Sequence, residues 1–198
     1  MRTFFALTVA LATTAATAAD LGKPAPGFTL SDLDGKPVKL ADYRGKVVVL
    51  EWFNPGCPFV RASHSKGSLV DAAAKASARG VVWLAINSGA PGKQGYGVEV
   101  NRAAAKEWSL AHPILVDETG ATGKAYGATN TPHLFVIDAA GRLAYRGAVD
   151  NSPDGERGAP EGGALVEYAA VAVEDVRAGR PVRVTSTKAY GCSVKYAR

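Results

Sequence analysis

The chain has 198 residues, with 23 lysines and arginines against 18 acidic residues and a formal net charge of +5. The cations are scattered, and their densest group, Arg177, Arg180 and Arg183, reads as a solvated helix end. Nucleic-acid binding calls for a basic stripe with interleaved aromatics, so no nucleic-acid partner is expected. The only cysteines are Cys57 and Cys192, which make at most one intramolecular bridge and exclude a disulfide-dense scaffold.

The first residues are read as an export signal. Arg2 gives a positive start, Phe4 to Leu11 is apolar, and small residues run to Ala16-Thr17-Ala18-Ala19. This predicts a signal peptide over residues 1–19 with an Ala-x-Ala-like cleavage site, and a mature chain beginning at Ala19 or Asp20. A bilayer span needs about 20 apolar residues, and this stretch is shorter and rich in Thr, so no stable membrane anchor is expected. The expected location is periplasmic or secreted, where disulfides persist. Residues 20–198 are read as one domain with a core of its own.

Lys23-Pro24-Ala25-Pro26 is an extended lead-in. The short apolar runs Gly27 to Leu30 and Pro37 to Leu40 flank Asp34-Gly35, a hairpin signal. Asp42 to Gly45 reads as a turn. Lys46 to Phe53 is a β-branched run suited to a central strand buried on both faces. Asn54-Pro55-Gly56 breaks it. Pro58 to Arg79 is alanine-rich, with Val60, Leu69, Val70 and Ala73 at helical spacing, and Gly80 ends the predicted helix. Val81 to Ile86 is the next strand, and Ser88 to Gly97 a flexible glycine-rich loop. A helix over Glu99 to Trp108, a strand over Ile114 to Val116 and a helical turn or two within Thr119 to Tyr126 follow. His133 to Ile137 and Leu143 to Ala148 form strands joined at Ala140-Gly141. Asn151 to Gly163 is a polar loop, Ala164 to Ala178 the last helix, and the remainder an irregular tail. Strands alternating with helices define an α/β architecture, a mixed central sheet flanked by helices.

Cys57 follows a buried strand and precedes a helix. Pro58 falls at the first helical position, where its missing N–H costs nothing. A sulfur at a helix N-terminus faces free backbone N–H groups, which favour the thiolate and lower the pKa below the free value of about 8.5. The thiolate is the nucleophile, so the placement favours reactivity over an inert buried cysteine.

The block ending Trp52-Phe53-Asn54-Pro55-Gly56-Cys57-Pro58-Phe59-Val60 resembles the active-site strand, loop and helix start of thioredoxin-like proteins. Thr131-Pro132 resembles their Thr-Pro motif. That resemblance implies a cis proline beside the nucleophile, with Thr131, Pro132 and Pro58 positioning the substrate chain. It extends over nearly the whole mature chain and is nearest a bacterial peroxiredoxin-like, or redoxin-domain, group. Gly56 to Val60, and Gly191-Cys192-Ser193-Val194-Lys195-Tyr196 at the end, both look similar to that group.

Three positions depart from the related patterns. Val60 stands where thioredoxins carry their second cysteine, so a local Cys-x-x-Cys bridge cannot form. Leu50 and Asn54 stand where peroxiredoxins carry Pro and a peroxide-binding Thr. Cys192, in a tail read as mobile, is then the candidate partner, with Cys57 attacking and Cys192 resolving. The competing reading is a static disulfide that pins the tail, which stabilises by about 5 kcal/mol for so long a loop. Glu51 matches the position of thioredoxin's buried acid. Buried there, it has a raised pKa and shuttles a proton to or from sulfur; facing outward, it is a solvated strand residue.

Other signals carry less. Pro91-Gly92-Lys93-Gln94 lacks the leading glycine and trailing hydroxyl of a phosphate loop. His64, His112 and His133 are isolated in sequence, and the sole Met is the first residue, so no metal and no cofactor are expected, although Cys57, His133 and His64 together are conceivable copper ligands. Trp52, Trp83 and Trp108 are read as packing residues. Three functions remain open. The first is an exported thiol-disulfide oxidoreductase acting on protein thiols or disulfides or on a small oxidant, with an unidentified electron donor. The second is a weak thiol peroxidase of peroxiredoxin type. The third is a non-enzymatic module with a structural Cys57–Cys192 bridge.

Overall fold

The computed structural model describes residues 19–197, so most of the signal-peptide reading lies outside the described residues. Strands β1 (Thr29–Asp32) and β2 (Pro37–Lys39) form the expected hairpin. Asp32 builds its turn, its carboxylate accepting the Asp34 and Lys36 N–H groups at 2.9 Å each, and Gly35 takes a φ of 79°.

The β-branched run becomes β3 (Val48–Trp52), buried at every position. It sits between β4 (Val82–Asn87), which runs parallel to it, and β7 (His133–Ile137), which runs antiparallel. With β5 (Ile114–Val116) and β8 (Leu143–Gly147), the order across the seven-stranded sheet is β2-β1-β5-β4-β3-β7-β8. Alternation along β3 divides its side chains between two faces. Val48, Leu50 and Trp52 pack with Ile86, Leu115, Phe135 and Tyr126. Val47 and Val49 join Trp83, Leu134, Val136 and Tyr145 under helix α5 (Tyr168–Arg177). Glu51 falls on that second, helix-covered side.

The single helix expected over Pro58 to Arg79 is two, α1 (Pro58–Ser65) and α2 (Ala72–Ser77). At Gly67 an added Cβ would lie 2.1 Å from the Gly155 carbonyl oxygen, so another loop presses on the chain there and only glycine fits. Asp71 follows with a φ of 57°, which a continuous helix cannot hold. Helices α3 (Val98–Glu107) and α4 (Ala121–Tyr126) lie close to their expected places.

The tail is not loose. Residues 185–187 bond to Arg146, and β9 (Cys192–Ser193) pairs antiparallel with β6 (Asn130–Thr131). Nor are Arg180 and Arg183 simply solvated, since both clamp the buried Asp175 carboxylate, at 3.0 and 2.9 Å. The Arg183 hydrogen bond in particular holds that carboxyl well below the usual range.

Candidate active site

Cys57 is the N-cap of α1, with Pro58 as its first helical residue. The strand-to-helix loop is held by a buried amide. Asn54 Oδ1 accepts the Gly56 N–H at 2.9 Å, Asn54 Nδ2 donates to the Gln94 carbonyl at 3.3 Å, and Gln94 Nε2 donates to the Gly56 carbonyl at 2.8 Å. The loop over residues 88–97 is therefore fixed against the site rather than flexible. Asn87 Nδ2 donates to Gly95 and to Asn101 Oδ1, both at 2.8 Å, and Asn101 Nδ2 to Gly97 at 2.7 Å. At Gly95 a Cβ would fall 2.0 Å from Asn54 Oδ1, so the clamp requires glycine.

The Cys57 side chain is fully buried, and as a thiol it donates to the Thr131 carbonyl at 3.1 Å. The Thr131–Pro132 peptide is cis. Cys192 stands directly across from Thr131 in the β6–β9 pair and packs against the cluster that contains Cys57. Both cysteines are free thiols. Burial alone pushes the Cys57 thiol up. The polar groups around the sulfur, Cys192 first and then the Val60 N–H and Thr131, outweigh it and bring the pKa below 9.0. The buried Thr131 hydroxyl has no hydrogen-bond partner among the described residues, which leaves it free to turn toward a thiolate. Cys192 goes the other way. Burial and then the neighbouring Cys57 push it up to about 11. The pair thus carries one sulfur poised to ionise and one that keeps its proton.

Backbone contacts hold Cys192 in place. Val194 N–H donates to the Thr129 carbonyl at 3.0 Å, Ala90 N–H to the Lys195 carbonyl at 2.9 Å, and Asn130 Nδ2 to the Gly191 carbonyl at 3.0 Å. The Tyr196 hydroxyl donates to the Ala128 carbonyl at 2.8 Å, and the Tyr190 ring packs at a tilt against Phe59 while its hydroxyl donates to Asp150. Gly191, at a φ of 97°, brings the tail so close that a Cβ there would lie 2.3 Å from the Thr131 oxygen.

Glu51 is fully buried, but its pKa is not raised as the burial reading expected. Burial is the largest influence and does push it up. The charge and hydrogen bond of His64, with His112 and the Trp83 N–H, together bring it below 4.5. His64 Nε2 donates to Oε1 at 2.7 Å and Trp83 Nε1 to Oε2 at 3.1 Å, so both oxygens are engaged. His64 itself stacks flat on Trp108 at 5.2 Å. Glu51 is not among the groups bonded to Cys57. Cys57, Pro58, Thr131, Pro132 and Cys192 come together, and Glu51 belongs to a neighbouring buried cluster.

His64 and His112 both lie near Glu51. His64 serves Glu51, while burial lowers His112 and His133 to about 4. Among the described residues no three His, Cys, Asp or Glu side chains converge as metal ligands. Sequence reasoning missed Asn54, Gln94 and the Glu51–His64 pair. An Asn before Pro-Gly is a signal for a side-chain-stabilised turn. His64, four residues after the buried Val60 on α1, is a signal for an inward-facing histidine.

A central sheet flanked by helices, with a free thiol at a helix N-terminus beside a cis proline, defines a thioredoxin-like protein. Residues 20–161 match the Redoxin family, to which the chain belongs. A similar sequence is the thiol-disulfide oxidoreductase ResA of Geobacillus thermodenitrificans, 35% identical over 128 residues, covering 64% of this chain and 68% of that protein. Two similar solved structures span nearly the whole molecule. An uncharacterized conserved protein from Geobacillus kaustophilus is 33% identical with a TM-score of 0.76, over 90% of this chain and 93% of that one. A hypothetical protein from Sinorhizobium meliloti is 27% identical with a TM-score of 0.77, over 91% and 97%. The chain is a thiol-dependent oxidoreductase of the thiol-disulfide type.

Proposed function

We propose that this chain is an exported two-cysteine thiol-disulfide oxidoreductase in which Cys57 attacks as a thiolate and Cys192 resolves. The observation that carries the reading is the register that sets Cys192 across from Thr131, whose carbonyl binds the Cys57 thiol at 3.1 Å, and the packing of Cys192 on the Cys57 cluster, with Cys57 lowered and Cys192 raised. The Cys57 thiolate attacks one sulfur of a substrate disulfide, forming a mixed disulfide and releasing the other sulfur as thiolate. Cys192 then loses its proton and attacks the Cys57 sulfur. The substrate's second thiolate leaves, and a Cys57–Cys192 disulfide remains. Two electrons have passed to the substrate, and the reverse sequence oxidises a dithiol. At rest the Thr131 carbonyl accepts a hydrogen bond from the Cys57 thiol; the proton leaves to water as the thiolate forms and the Thr131 hydroxyl turns to the sulfur, while Pro58 and Pro132 shape the groove.

Disulfides of other proteins are the favoured substrates, in keeping with the thiol-disulfide oxidoreductase relative. The peroxide reading is weaker, because Asn54, which replaces the peroxide-binding Thr, spends its side chain on Gly56 and Gln94. Export is supported by the leader composition. No helix among the described residues is long and apolar enough to cross a membrane. Ala19 packs into the core and its N–H donates to the Ala125 carbonyl at 2.9 Å, which places the expected start of the mature chain inside the fold.

Equilibration of the mature protein in graded thiol buffers, followed by alkylation and mass analysis, tests the proposal. A Cys57–Cys192 potential between about −120 and −270 mV supports a cycling enzyme, whereas one below about −300 mV assigns the bridge to structure.

A further inference from the structure

The backbone edge that faces Cys57 is already occupied. An exposed strand edge is a template for an incoming extended chain, with main-chain hydrogen bonds giving affinity. The segment over residues 129–131 is such an edge, and the Cys57 thiol lies against its Thr131 carbonyl. The strand paired with it is the protein's own β9, in the register Asn130 to Ser193 and Thr131 to Cys192. Val194 extends the pairing onto Thr129, and Gly191 packs against both the Thr131 carbonyl and Phe59. The pairing places a cysteine opposite the residue whose carbonyl binds the nucleophile.

We propose that the segment Tyr190 to Tyr196 is a tethered stand-in for a substrate strand, filling the 129–131 edge at rest, so that an extended polypeptide disulfide must displace it to reach Cys57. The proposal rests on the reading of Cys57 as nucleophile and adds the event that couples resolution to release. The substrate chain and the tail compete for one edge. Once Cys57 holds the substrate in a mixed disulfide, return of the tail takes back the hydrogen bonds that held the substrate. The same movement delivers the Cys192 sulfur to the bond it must break. That attack forms Cys57–Cys192, expels the substrate thiolate and gives up the Cys192 proton to water. Cys57 is fully buried in the docked state, which fits an edge closed against large substrates. The tail is fastened by backbone bonds, tyrosine hydroxyls and half-buried side chains, Val194 and Cys192 among them, and none of residues 190–196 is fully buried, which fits a segment that can detach.

The test uses the full mature chain in a Cys192→Ser background, where the mixed disulfide on Cys57 accumulates and is quantified by mass. Val194→Pro removes the N–H that donates to Thr129 and loosens the tail without touching Cys57. Two reagents are compared, an extended nine-residue peptide disulfide and the small aromatic disulfide 5,5′-dithiobis(2-nitrobenzoate). Loss of one backbone hydrogen bond should raise the peptide rate by up to about tenfold, with the aromatic rate changing by less than about threefold. Tyr196→Phe, which deletes only the bond to Ala128, should move the peptide rate the same way by less and serves if the proline variant does not fold. Unchanged peptide rates in a folded variant overturn the proposal. So does an equal rise for both reagents, which would make the tail a simple cover. If Cys57 forms no adduct with either reagent even after the tail is loosened in a folded variant, the nucleophile reading itself fails and this inference with it.

Discussion

The two cysteines lie in one cluster but are held by different kinds of structure. Cys57 is set by the end of a central strand, the start of α1 and a clamp of buried amides through Asn54, Asn87 and Asn101. Cys192 rides on a two-residue strand fastened by part-buried hydrogen bonds and a glycine at positive φ. Their acidities divide the same way, one lowered and one raised. A relay between two thiols needs one that stays in place to react with incoming substrates and one that moves to finish the exchange. The built-in sulfur suits the first task and the strapped-on sulfur the second.

The largest expected effect falls on the fixed side. Cys57→Ser should lower disulfide-exchange turnover by about a thousandfold or more, since nothing else in the site replaces the nucleophile. The thermal midpoint should stay within about 3 °C, because Ser fits the same space. A large loss of stability with little loss of turnover would instead place the bridge among structural elements. Cys192→Ala sharpens the division. The group it removes favours the Cys57 thiolate, so the midpoint in the pH dependence of Cys57 alkylation should move up toward 9.0. An unmoved midpoint would show that the movable sulfur does not tune the fixed one.

Next in size is the cluster beneath the fixed side. His64→Ala leaves Glu51 buried with one oxygen unpartnered and should cost about 3–5 kcal/mol in urea unfolding. Glu51 has a lowered pKa in the fold. The stability it contributes is therefore present above its unfolded value near 4.5 and lost as pH falls through the lower folded value. Glu51→Gln should flatten that acid limb of the stability profile. A profile as steep as that of the unaltered protein would assign the limb to another carboxylate.

The order of strands and helices was legible in the sequence because buried strands and alanine-rich helices carry strong local patterns, and Cys57 was legible because a thiol between a strand and Pro58 has few structural uses. What local pattern could not carry was contact across the fold. The interruption between α1 and α2 exists because residue 155 presses on Gly67. Glu51 meets His64 and Trp83 only when α1 folds over β4. The tail reads as irregular because its order comes from pairing with residues about sixty positions earlier. In each case a polar or glycine residue found its purpose in a distant partner.

On the strapped side, Gly191→Ala introduces a Cβ into the space of the Thr131 carbonyl at a φ that side chains rarely adopt. The expected cost is about 1–3 kcal/mol. It should be read mainly as faster alkylation of Cys192, with Cys57 keeping its buried clamp. Equal loosening of both sulfurs would mean that the tail and the helix start move as one unit, against the division drawn above.

The smallest effect separates the parts of the clamp itself. Gln94 is exposed, and its amide donates to the Gly56 carbonyl from outside the core. An exposed group that loses such a bond gains one to water, so Gln94→Ala should cost about 1 kcal/mol or less. Turnover should fall by less than about threefold, as that energy scale implies. Asn54 is buried and answers the Gly56 N–H, so Asn54→Ala strands that donor and should cost more, about 1–3 kcal/mol, with a clear loss of turnover. If Gln94→Ala equals Asn54→Ala in both readings, the loop rather than the buried amide sets the geometry of Cys57, and the fixed sulfur is held no more deeply than its partner.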